Sequence, residues 1–131
     1  MSTKQEIFLR LDRVIPYFTV LYFAEIMYLM VAFAFMFGKV LAVPIAGALS
    51  VLLAVHVFML YLKKPLHRVV QLALMDMHCA YSIPFAYSLV FHGSEFTGMD
   101  TVFMTLRLSM AAAELAFIFA LTDDNVKRSY A

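Results

Sequence analysis

The fold class this sequence predicts is all-α: an integral membrane four-helix bundle with a short N-terminal interfacial amphipathic helix. Three observations predict it. Hydrophobic residues make up 64% of the 131 positions and charged residues only 15%, with a mean hydropathy of +0.86, a balance that no water-soluble domain of this size shows. Four windows each reach the roughly 20 apolar residues that a bilayer core about 30 Å thick requires. The breaks between the windows are short, so consecutive spans are expected to be antiparallel neighbours within one transmembrane domain covering 1–131.

In chain order, Thr3 and Glu6 have the spacing of a capping box, and Ile7, Leu11 and Val14 fall on one stripe opposite Lys4, Arg10 and Arg13, the pattern of a short helix lying at the interface. The apolar run behind it is too long for the core of a cleaved signal, and no small-residue cleavage site follows. The spans are expected near 14–37, 40–62, 66–91 and 101–121, the first ending at Gly38-Lys39. Lys4, Arg10, Arg13, Lys63, Lys64, Arg68, Lys127 and Arg128 all fall in the N-terminus, the second loop or the tail, whereas the opposite loops carry Lys39 with Glu95 and Asp100. That asymmetry puts both termini and the middle loop in the cytoplasm, and the protein in a cytoplasmic (inner) membrane.

Apolar side chains alone do not bring helices together in lipid, so small residues and buried hydrogen bonds must do so. Ala42, Ala46, Ser50 and Ala54 in the second span, and Thr105, Ser109, Ala112, Ala116 and Ala120 in the fourth, form ladders of small residues that read as helix-packing surfaces. Pro84 in the third span removes one backbone hydrogen bond and presses on the carbonyl of Ala80, predicting a kink.

Ionisable side chains at membrane depth cost at least about 2.5 to 3.5 kcal/mol, so each must pair, lose its charge, or face protein or water. Glu25 lies near the centre of the first span, His56 in the second, Asp76 and His78 in the third, and Arg107 and Glu114 in the fourth. Three carboxyl groups against one arginine imply that at least one is protonated, shared or bound to a cation. Tyr22 and Tyr28 flank Glu25 at three residues on either side and are candidate donors to it. Asp76 and His78 are two positions apart, about 200° around a helix, so one faces the bundle and the other a second protein. By helical rise, Arg107 is roughly 7 Å from the depth of Glu25, within reach of a long side chain, and Glu25 is its expected partner.

Met75, His78 and Cys79 share one face at i, i+3 and i+4, a weak soft-metal pattern that suits copper only with a ligand from another helix. His56 and His78 are candidate haem ligands, although helical rise separates their depths by roughly 9 Å. Neither haem nor copper is predicted. His67 and His92 fall at span ends and read as interfacial.

A net charge of +1 argues against a nucleic-acid surface, and a single cysteine excludes an internal disulfide or a CxxC site. No nucleophile elbow, P-loop, HExxH or glycine-rich phosphate loop occurs. The leading expectation is therefore a small non-catalytic membrane subunit that packs with other integral membrane chains through intramembrane polar residues. A homo-oligomeric proton- or cation-coupled transporter centred on Glu25, with Arg107 and Glu114 as a gating pair, is the first alternative. A haem- or copper-binding membrane subunit is the second.

Overall fold

The computed structural model describes residues 2–95 and 97–131. It is all-helical: α1 (Thr3–Thr19), α2 (Leu21–Phe37), α3 (Lys39–Tyr61), α4 (Pro65–His92), a 3-10 turn at Gly93–Glu95, α5 (Gly98–Thr122) and α6 (Asp124–Ser129). Among the described residues three helical stretches are long and apolar enough to cross a membrane: Thr3–Phe37, Lys39–Tyr61 and Gly98–Thr122. The helix expected as the third span, α4, has 28 residues and so the length, but not the apolarity. The reason is its inward stripe of Gln71, His78 and Ser82, together with Asp76 on its outer side.

The N-terminal helix starts one residue earlier than its sequence implied. Ser2, not Thr3, is the cap: its hydroxyl accepts from the Gln5 amide at 3.4 Å, and the Gln5 side chain accepts from the Ser2 backbone at 3.1 Å. The side of α1 packed inside the protein is a different stripe from Ile7, Leu11 and Val14. The helix buries Asp12, Ile15, Pro16 and Thr19, and leaves Ile7 and Val14 about half exposed. The buried stripe packs against α5, α3 and α6, and the helix runs almost without interruption into α2. Pro16 has no N–H for the Asp12 carbonyl, yet α1 continues past it to Thr19 and breaks only at Val20. Beyond it the ladder tightens to three-residue steps, Val20 N–H to the Tyr17 carbonyl and Phe23 N–H to the Val20 carbonyl.

Gly38, at φ 93°, turns α2 directly into α3. At the far end of α3 the same task falls to Lys63, at φ 58°. Its N–H reaches the Leu60 carbonyl and that of Lys64 reaches Met59, the Schellman pattern with a lysine where glycine is usual. Pro65 then starts α4, a position that needs no N–H.

Two antiparallel hairpins result, α2 with α3 and α4 with α5, each closely packed internally. Between them, α3 meets α4 only sparsely. The tightest core gathers at one end, where Ile15, Leu60, Met75, Phe117, Leu121, Val126 and Tyr130 form one cluster. Both termini and the α3–α4 turn therefore share that end, and with them the eight basic residues named above. Of the two small-residue ladders, the one on α3 has Ala42 buried, Ala46 and Ser50 half-buried and Ala54 exposed, and on α5 Thr105, Ser109, Ala112 and Ala116 are exposed while Ala120 is buried. The inward face of α5 is Met104, Arg107, Met110, Glu114, Phe117, Ala120 and Leu121.

Candidate functional site

Three helices bring polar side chains to the middle of the bundle. Tyr22 and Glu25 sit one turn apart on α2, His78 projects from α4, and Arg107 and Glu114, two turns apart, share the inner face of α5. His78 joins them. Its Nε2 is 2.8 Å from Oε2 of Glu25 and its Nδ1 is 2.8 Å from Oε2 of Glu114. Arg107 pairs with the other oxygen of Glu25, and the Tyr22 hydroxyl donates to the other oxygen of Glu114. Glu25, Arg107, Tyr22 and Glu114 are all buried. The guanidinium also lies over the rings of Tyr81 and Phe85, 4.6 and 4.9 Å from their centroids.

Charge counting defines what this arrangement can hold. With Glu25 ionised against Arg107, one further proton on the His78–Glu114 pair makes the cluster neutral, whether as imidazolium and carboxylate or as imidazole and carboxylic acid. Losing it would leave a buried negative charge, and gaining another a buried positive one, without a partner in the cluster. A cavity of about 250 Å³, open to the outside of the bundle, is lined by Glu25, His78 and Arg107 together with Ile26, Leu53 and Leu74.

The Arg107–Glu25 pair is the one expected from depth. The expected donors to Glu25 are not found there: Tyr22 serves Glu114, and Tyr28 donates to Asp100 at 3.1 Å while stacking on Phe103 at 4.0 Å. Of the pair Asp76 and His78, it is His78 that faces the bundle. Asp76 is exposed, and among the described residues it makes no hydrogen bond or ion pair. Of the candidate metal and haem residues, His78 and Cys79 both reach Glu114, whereas Met75 and His56 lie elsewhere. Met75 is fully buried in the apolar core, and Cys79 is half-buried, its Sγ 3.6 Å from both the Ala111 carbonyl and Glu114. His56 lies in a different network from His78. Among the described residues no three His, Cys, Asp or Glu side chains converge as a metal site would require.

Two networks near the basic end had no signature in the sequence. In the first, Thr19 Oγ1 donates to the Ile15 carbonyl at 2.7 Å, and Gln71 Nε2 donates to Thr19 at 3.0 Å. The Gln71 oxygen then takes the Nε2–H of His56 at 2.7 Å, which leaves His56 Nδ1 to accept from His67 Nδ1 at 2.9 Å. His67 is thus a hydrogen-bond partner inside the protein as well as a span-end residue. In the second, Asp12 pairs with Lys63 and accepts the Tyr130 hydroxyl at 2.7 Å, while Lys63 Nζ sits 4.7 Å from the centre of the Tyr130 ring. Burial and the Asp12 hydrogen bond push the Tyr130 hydroxyl pKa well up. Arg68 closes the same end by donating to the Leu121 carbonyl at 2.8 Å. Gln71, Met75, His78 and Ser82 form one helical stripe, the signal that could have drawn Gln71 into the set. Comparison with protein-family models, with curated proteins and with solved structures finds no match to this chain.

Proposed function

We propose that this chain is a small non-catalytic membrane subunit with four spans, α4 being the third, which assembles with further membrane-embedded chains. Asp76 carries the reading. It stands mid-helix on the outside of α4 without a partner among the described residues, and a carboxylate left facing lipid would be costly. A cationic or hydrogen-bonding group on a neighbouring chain relieves that cost, and the exposed ladder Thr105, Ser109, Ala112 and Ala116 supplies a surface for close helix approach. The buried charges need no such help, since Arg107 balances Glu25 and His78 joins Glu25 to Glu114. A length of 28 residues and packing along α5 support α4 as a span. The cluster of basic residues at the end with both termini supports a cytoplasmic location for that end. Purification in mild detergent should yield a complex of fixed stoichiometry, and Asp76→Leu should release the chain from it in folded form. A monodisperse single chain from wild-type membranes, or a complex indifferent to Asp76→Leu, overturns the reading.

A second reading, a homo-oligomeric proton- or cation-coupled transporter, is favoured by one observation: the 250 Å³ cavity opens directly onto Glu25, His78 and Arg107. On that reading the His78–Glu114 pair carries the exchanging proton and Glu25 couples it to a cationic solute. Flux into proteoliposomes should vanish in Glu25→Gln. Normal flux in that variant removes Glu25 from any coupling role.

A further inference from the structure

We infer that the cleft between the α1–α2 break and the second half of α3 is a binding site for one anionic phospholipid. The cleft is a cavity of about 610 Å³, within the range of small-ligand sites. Its walls at membrane depth are apolar, with Val20 and Phe23 on one side and Leu53, Ala54, Val57 and Phe58 on the other. The Ser50 hydroxyl on the same wall is satisfied by the Ala46 carbonyl at 2.7 Å, so the wall has no unmet polar group there. A second cavity of about 240 Å³ shares Pro16, Tyr17 and Tyr61 with the first and adds Arg13 and Lys63. The combined space is therefore an acyl-chain slot with a headgroup seat at the end of α3.

Charge at that seat selects an anion. Lys63 is offset by Asp12, but Arg13 is exposed and has no partner among the described residues, leaving a net positive charge beside two exposed tyrosines. Arg13 presents the planar donor fork that suits a phosphodiester, and tyrosines at the end of a span sit where headgroups lie. Basic pockets between helices at an interface are the usual seat of anionic headgroups. A second copy of the chain fits less well, because it would bring its own cluster of basic residues to the same level of the bilayer. The inference does not rest on either functional reading.

The test is lipid retention by the purified full chain, measured by native mass spectrometry in neutral detergent. Phosphatidylglycerol and phosphatidylcholine with the same acyl chains are compared, with glycerol 3-phosphate as the headgroup alone. The expected result is one retained phosphatidylglycerol, little phosphatidylcholine and no glycerol phosphate. Arg13→Gln, at an exposed position, should weaken retention about fivefold, the worth of one basic residue at an anionic surface. Ala54→Phe, which fills the slot and leaves the headgroup seat intact, should also weaken it. Equal retention of the two lipids overturns the inference, as does binding of glycerol phosphate alone or wild-type retention in Arg13→Gln. A dimer lost in Ala54→Phe while phosphatidylglycerol binding persists would give the cleft to a second copy instead.

Discussion

His78 is the side chain on which the central network turns, because it alone touches both carboxylates. Its removal strands Glu25 beside Arg107 and Glu114 beside Tyr22, with no group joining the two carboxylates. His78→Ala should therefore destabilise the protein by about 3 kcal/mol, as for a broken buried ion pair, measured by unfolding in detergent. Adding Glu114→Gln to that variant should recover part of the loss, since the amide has no charge to compensate. Strictly additive losses would mean that the imidazole and Glu114 do not interact. Arg107 and Glu25 form the second coupled pair, and the cycle of Glu25→Gln with Arg107→Gln should show a coupling above about 0.5 kcal/mol. The Arg107–Glu25 pairing was readable from the sequence, because helical rise gives depth in two spans directly. The bridging place of His78 was not, because sequence spacing fixes the face a residue takes on its own helix and says nothing of how helices are rotated towards each other. The same gap misassigned Tyr22 and Tyr28, whose nearness along α2 to Glu25 proved weaker than their partners across the bundle.

Among the elements, α6 is the shortest and the most dependent on a single contact. Six residues cannot hold a helix alone. Its N-terminus is capped by Asp123, which accepts from the Asn125 and Val126 amides at 3.0 and 3.3 Å, and its other end is fixed by the Tyr130 hydroxyl on Asp12. Tyr130→Phe should cost about 1 kcal/mol at neutral pH, the usual worth of such a bond. The pH dependence follows from the raised pKa of Tyr130. Below about pH 10 the hydroxyl keeps its proton in both folded and unfolded chains, and the advantage of the wild type over Tyr130→Phe is constant. Above that pH the unfolded chain ionises while the folded one holds the proton, so the wild-type advantage shrinks as pH rises. A difference that stays flat to high pH would contradict the contact. Little of this end could be read in advance: the apolar windows located α2, α3 and α5 well, but no spacing in the sequence marks Asp12 as buried, and Lys63 occupies a left-handed position that glycine usually marks.

Across the whole molecule, one end gathers both termini, the α3–α4 turn and the tightest core, while the other end carries only the α2–α3 and α4–α5 connections. In a Cys79→Ser background, Ser2→Cys, Lys64→Cys and Asn125→Cys should react with a membrane-impermeant maleimide from one face of the membrane, and Thr97→Cys from the other. Labelling of Thr97→Cys from the same face as Lys64→Cys would mean that α4 does not cross. The contrast between α4 and α5 also bears on how the chain enters a bilayer at all. Gln71, Asp76 and His78 make α4 a poor candidate to leave an insertion channel for lipid alone, and α5 carries Arg107 and Glu114 of its own. Paired, the two helices match His78 to Glu114 before either meets hydrocarbon. Biogenesis should therefore be a hairpin event in which α4 waits for α5. A chain stopped after His92 in that background should label at His92→Cys from the same face as Lys64→Cys, and the same chain extended through Thr122 from the opposite face.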